Sequence, residues 1–112
     1  MVILNITRNT YLAVDAKMVT GQAAIIGLSH HRHLPNGEGL LLYPCHSITT
    51  EPLTFPIDVI FVDRFNRISA AFSNIQPHST ATSSGAVAAI ELPVGVIAHS
   101  QSKLGDQLSY RL

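Results

Sequence analysis

The chain has 112 residues, the size of one domain enclosing a single hydrophobic core, and 46% of them are hydrophobic, far above the level of a disordered segment. Seven basic and seven acidic side chains cancel with no clustered run of either sign, so the long-range field that draws a protein onto nucleic acid or anionic lipid is missing. Charged residues are 12% of the chain against about 25% in a typical domain, a balance that favours self-association or an obligate partner.

Residues 2–6 and 11–15 are β-branched or aromatic stretches around the polar Thr7-Arg8-Asn9 and read as a hairpin. No basic leader or long apolar core precedes them, so 2–6 is expected to be the first strand of the domain rather than part of a secretion signal. From Thr20, a suitable N-cap, the residues Gln22, Ala23, Ala24, Ile25, Ile26 and Leu28 suit a helix of about two turns. Leu34-Pro35-Asn36-Gly37-Glu38-Gly39 is a turn leading into the apolar run 40–43. No apolar run approaches the roughly 18 residues of a membrane helix.

Residues 57–63 read as a central strand, because Ile57, Val59 and Phe61 share one face while Ile60 and Val62 back the other. Asp63-Arg64-Phe65-Asn66-Arg67 closes a hairpin into 68–72, with Asn66 best able to take a left-handed backbone. Residues 73–85 form a Ser/Thr-rich stretch around Pro77, expected to be a mobile loop. A strand over 86–92, a short helix over 96–100 and a closing strand over 107–111 complete the chain. Strands outnumber helices, and the spacings are too short for repeated helical crossovers. The expected fold is mainly β (α+β), a single domain over 1–112 built as a small antiparallel β barrel or sandwich with two short helices.

The stretch Gly37-Glu38-Gly39-Leu40-Leu41-Leu42-Tyr43-Pro44-Cys45-His46-Ser47-Ile48, followed by Phe55-Pro56-Ile57-Asp58-Val59-Ile60-Phe61-Val62-Asp63, resembles the domain-of-unknown-function family numbered 192. Glu91-Leu92-Pro93-Val94-Gly95, Leu104-Gly105-Asp106-Gln107-Leu108 and Thr7-Arg8-Asn9-Thr10 are similar to further elements of that family, and several motifs in one order are more specific than any alone. The resemblance implies a compact β-rich domain of bacteria and archaea, often behind a secretion signal, without an established activity. Three positions depart from the pattern: Thr49 stands where the family has His, Leu53 where it has Met, and Gln101 where a Gly is expected. If the family's chemistry relies on that His as base or metal ligand, this chain cannot perform it in the same way, and losing that Gly should make the helix over 96–100 end less sharply.

The candidate ligand-binding residues are Cys45, His46, Ser47, Thr49, Thr50 and Asp58, where thiol, imidazole, hydroxyl and carboxylate could converge. A nucleophilic cysteine needs a base or positive field, but strand neighbours point to opposite faces, which places His46 poorly for Cys45; a buried structural thiol is the alternative. Asp58 lies in an apolar strand and needs partners, expected as N–H or hydroxyl donors from residues 45–50. His30, His31 and His33, with Cys45 or His46, have the chemistry of zinc ligands but not the paired spacing, so no metal is assigned. Gly37-Glu38-Gly39 lacks the glycine spacing of a phosphate loop, and no cofactor follows from it.

The expected function is that of a binding or accessory module, with residues 44–55 lining a shallow cleft for a small molecule or a protein segment. A hydrolase-like or metal-assisted enzyme at the same cluster, and a structural subunit of a homo-oligomer, are the alternatives. Nucleic acid and membrane are not expected as partners. The single cysteine, Cys45, points to the cytoplasm, since small secreted domains usually contain several disulfides.

Overall fold

A strand that is apolar on both faces has to lie between two layers, and residues 57–62 do so in the computed structural model, which describes residues 1–20 and 33–112. The strands in chain order are β1 (Val2–Asn5), β2 (Thr10–Ala13), β3 (Asp15–Thr20), β4 (Glu38–Tyr43), β5 (Ser47–Thr49), β6 (Ile57–Val62), β7 (Ile68–Ile75), β8 (Thr80–Thr82), β9 (Ala88–Pro93) and β10 (Leu108–Arg111). Among the described residues the helix is α1 (Val96–Ser100), between β9 and β10. A five-stranded sheet of order β3-β4-β9-β6-β7 is flanked by a three-stranded sheet, β10-β1-β2, and a two-stranded ribbon, β5-β8.

Period-two alternation along β4, β6 and β9 splits the core in two. Leu41, Ile60, Val62, Ile90 and Leu92 meet Ile3, Leu12 and Leu108 of the three-stranded sheet and Ile97 of α1. Leu40, Leu42, Ile57, Val59, Phe61 and Ala89 meet Ile48 and Ala81 of the ribbon, together with Leu53. Every residue of β6 is buried, and full burial of each large apolar side chain contributes roughly 1.5–3 kcal/mol. Phe72 of β7 meets Phe61 edge to face at 5.9 Å.

Mainly β architecture is what the sequence predicts, but the sheets do not close into a barrel: β3 and β7 are the two edges of the central sheet. Nor is the sheet wholly antiparallel, because β3 and β4 run parallel from Asp15↔Glu38 to Thr20↔Tyr43. A parallel pair needs a crossover of about a dozen or more residues, and the chain between these strands supplies that length. The first helix expected from the sequence, over Gln22 to Leu28, lies outside the described residues. β3 itself escapes the sequence reading because it is an edge strand with only Ala16 buried, leaving no apolar alternation to see.

Residues 73–85 are more regular than expected. β7 continues to Ile75, and β8 pairs with β5 through Ile48↔Ala81. Inward Ile48 and Ala81 give the ribbon its buried side, while its Ser and Thr residues face outward.

The hairpin tip after β6 follows the sequence: Asn66 has φ 60°, and Asp63 Oδ1 accepts the N–H groups of Phe65 at 2.8 Å and Arg67 at 3.0 Å. A second joint ties the N-terminal hairpin to the turn before β10. Asp106 Oδ2 accepts Asn5 Nδ2, Arg8 Nε and Lys103 N, each at 3.0 Å. Burial works against ionisation of Asp106, yet the hydrogen bonds from Arg8, Asn5 and Lys103 and the Arg8 charge hold its carboxyl below the usual carboxylate range.

Among the described residues no helix is long and apolar enough to cross a membrane. The end of α1 departs from expectation, because Gln101 adopts the left-handed conformation that a glycine would (φ 58°, ψ 29°). Its N–H bonds Ala98 O and that of Ser102 bonds Ile97 O, both at 3.1 Å, so the helix stops sharply. A non-glycine residue pays about 1–2 kcal/mol for this backbone. Gln101→Gly is therefore expected to raise stability by about 0.5–1 kcal/mol in urea denaturation; an unchanged midpoint would show that the side chain already relieves the strain.

Candidate functional site

Alternation along β6 turns Asp58 to the same side as Ile60 and Val62, where it is 0% exposed. A carboxylate so placed requires donors, and three backbone N–H groups supply them. Oδ1 accepts Asn74 N at 2.8 Å, while Oδ2 accepts Gly95 N at 3.1 Å and Ile97 N at 2.9 Å. The first donor comes from a bulge: Ile57 pairs with Ile75 but Val59 with Phe72, so β7 has an extra residue opposite Asp58. Asn74, at φ 54°, turns its N–H toward the carboxylate there. The other donors belong to the start of α1, where Gly95 lacks a side chain to cap the helix and Asp58 does so from a distant strand.

These are not the partners expected from the sequence. Asp58 bonds no residue of 45–50, because Ile57 and Val59 face the ribbon and Asp58 faces away from it. The central sheet lies between the carboxylate and Ile48, so the expected cluster does not assemble around Asp58.

The remaining candidate residues lie on the ribbon side. Cys45 is half-buried and its Sγ donates to Ser47 O at 3.3 Å. Burial pushes its thiol up, the Glu91 carboxylate adds to the effect, and the Ser47 backbone opposes it only in part. The surroundings thus keep the thiol protonated, the reverse of what a nucleophile needs. His46 is exposed, and its carbonyl accepts Ser83 N at 2.9 Å. Ser47 Oγ and Thr82 Oγ1 share a hydrogen bond of 2.9 Å on the outer face of the ribbon.

Thr49 is exposed, accepting Glu51 N at 3.1 Å and donating weakly to Ser79 O at 3.4 Å, so the position of the family's His lies on an outer surface. Thr50 is fully buried, its Oγ1 donating to Gln76 O at 2.7 Å and accepting Ser79 N at 2.9 Å. Those bonds fasten the connection between β7 and β8. Leu53 packs in the ribbon-side core, where it substitutes readily for a methionine. His33 is exposed, whereas His30 and His31 lie outside the described residues. Among the described residues no three of His, Cys, Asp and Glu gather as a metal would require.

Glu91 is the buried acid that the sequence reading passed over. It pairs with Leu40 on one side and Val59 on the other, on the face where its charge acts on Cys45. The signal was present as a carboxylate two residues from Ala89 inside an apolar strand.

The concave feature near Asp58 is a groove of about 480 Å³ whose walls come from three separate segments. Tyr11 of β2 and Val14 just beyond it form one border, Asn36 and Gly37 come from the turn before β4, and Val94 and His99 come from α1 and its approach. Gly37 O accepts Val14 N at 2.8 Å and Asp15 N at 2.9 Å, fixing the turn to the strand. Gly95 and Ile97, held by Asp58, fix the opposite wall. Tyr11, Val14 and Val94 are all exposed.

The model of the DUF192 family, described as Uncharacterized ACR, matches residues 4–110. No curated protein matches the chain. A crystal structure of a protein of unknown function from Novosphingobium aromaticivorans is similar with a TM-score of 0.82 at 20% identity, covering 97% of this chain and 82% of that one. A protein from Sinorhizobium meliloti, named only provisionally as a transcription regulator, also gives a TM-score of 0.82, at 17% identity, covering 96% of this chain and 89% of that one. At these identities the likeness shows the fold alone.

Asp58→Asn puts an amide NH2 against N–H donors and is expected to cost about 3 kcal/mol in urea denaturation; a loss near zero would show that the carboxylate does not anchor α1. At pH 7, Cys45 is expected to react with iodoacetamide more slowly than free cysteine, the rate climbing as pH rises past the ordinary thiol range. A rate matching free cysteine would show that burial leaves the thiol unperturbed, and a faster one would reveal an activated thiolate.

Proposed function

The chain belongs to the DUF192 family, a group described without an activity, and from its geometry we propose that it is a binding module that seats a compact, mainly apolar molecule in the groove between β2 and α1. The observation carrying this reading is the groove itself. Its volume of about 480 Å³ falls within the range of about 300–1,000 Å³ for small-molecule pockets, which are mostly apolar with a few polar groups. Tyr11, Val14 and Val94 supply the apolar contact, while Asn36 and His99 at the rim offer hydrogen bonds that would orient one polar end of the ligand.

Rigidity supports the same reading, since one wall is held by backbone hydrogen bonds to Gly37 O and the other by the Asp58 carboxylate before any ligand arrives. Cys45 has a thiol kept protonated, and Asp58 has its oxygens committed to backbone donors, which favours binding over catalysis at the groups first singled out. A lone cysteine suits a reducing compartment such as the cytoplasm.

Titration of the protein with indole and with benzoate, followed by amide NMR shifts, tests the proposal. Saturable shifts are expected at Tyr11, Val14, Val94 and His99, with affinity falling at least about tenfold in Val94→Asp through burial of a charge in an apolar seat. Shifts confined to His46, Ser47 and Thr49 would move the binding face to the ribbon and overturn the assignment, as would no saturable shift at all.

A further inference from the structure

A second recess, also of about 480 Å³, lies against the other flank of α1 and is lined by Arg8, Ser73, Gln101, Ser102 and Lys103. We propose that it binds the phosphoryl group of a small phosphate monoester, whose organic part rests in the adjoining hollow over β7. The inference stands apart from the groove and rests on an excess of hydrogen-bond donors over acceptors.

Arg8 uses only Nε within the described residues, on Asp106 Oδ2 at 3.0 Å. That bond fixes the plane of the guanidinium and leaves its terminal N–H groups, a fork that fits two oxygens of a phosphate. Lys103 gives its backbone N–H to the same carboxylate, and among the described residues its ammonium takes no partner. The hydroxyl of Ser73 and the side-chain amide of Gln101 likewise make no hydrogen bond there. Four donor side chains, two of them cationic, thus come from three separate segments of the chain, which suits an oxyanion with several acceptor oxygens.

Several acceptors near the recess are already engaged. Asp106 Oδ2 takes Asn5, Arg8 and Lys103. At the end of α1, Ala98 O and Ile97 O accept Gln101 N and Ser102 N, and Ser100 O accepts Thr10 Oγ1 at 2.8 Å. Gln101 adds an independent pointer, because it keeps a side chain at a left-handed position where glycine would be strain-free. What that side chain provides is an amide at the recess.

The recess is continuous with a shallow hollow that shares Ile97, Ser102 and Lys103 and extends over Ala70, Phe72 and Leu104. Leu104 is 67% exposed and Ala71, on the α1 side of β7, lines the same hollow, so a small aromatic or aliphatic body could cover both.

Amide NMR titrations with inorganic phosphate and with phenyl phosphate, at fixed ionic strength set by chloride, test the assignment on wild type, Lys103→Gln and Gln101→Gly. Both ligands are expected to shift Arg8, Ser73 and Lys103, phenyl phosphate binding the more tightly and also shifting Ala71 and Leu104. Lys103→Gln should weaken phenyl phosphate at least about tenfold, as loss of a charged hydrogen bond does. Gln101→Gly should weaken it as well, although that variant is expected to be the more stable protein, a combination that a purely structural role would not produce. Equal affinity for the two ligands, unchanged affinity in Lys103→Gln, or shifts that chloride alone reproduces would each overturn the proposal.

Discussion

One carboxylate, that of Asp58, ties the central sheet to the elements around it. In an apolar interior an unpaired carboxylate is untenable, so the fold is obliged to bring donors to it. They come from β7, through the bulge that presents Asn74, and from the start of α1, through Gly95 and Ile97. The edge strand and the helix are thereby positioned by the same side chain. Both hollows beside α1 take their shape from that arrangement, since Gly95 borders the groove and Ile97 borders the recess.

The motifs that carry the family resemblance meet in pairs. Asp58, from Phe-Pro-Ile-Asp-Val, holds Gly95, from Leu-Pro-Val-Gly. Asp106, from Leu-Gly-Asp-Gln-Leu, holds Arg8, from Thr-Arg-Asn-Thr. Gly39 lies where an added Cβ would meet Leu92 Cδ2 at 3.0 Å and Glu91 O at 3.2 Å, so the Gly-Glu-Gly turn and the strand of β9 approach through it. Each motif is thus half of a joint, and the pattern that identifies the family specifies its fold in the first place. This explains how a resemblance over most of the chain can carry the fold without carrying an activity.

Sequence patterns disclosed what depends on local periodicity. β6 was legible because five apolar residues spread over both of its faces leave few alternatives, and the hairpin at Asn66 because few residues tolerate its backbone. β3, β5 and β8 were not, since each buries a single residue and shows no hydrophobic repeat. Asp58 announced that it needed partners but not which ones: the bulge in β7 and the cap of α1 exist only once the strands are paired. For the same reason the groove and the recess were invisible, being assembled from residues as distant as Tyr11 and His99, or Arg8 and Lys103. The cluster at 45–50 was conspicuous because its polar residues are contiguous, and contiguity on a ribbon distributes them over two faces.

β7 is the outermost strand of the central sheet, and a long bare strand invites a neighbouring molecule to add its own in register. Here the first part of that border is occupied, because Ile68 exchanges hydrogen bonds with Asp106 O and Gly105 N. Further along, the extra residue that delivers Asn74 to Asp58 breaks the regular spacing a foreign strand would need. The distortion that satisfies a buried charge therefore also guards a protein of zero net charge against edge-to-edge growth into aggregates.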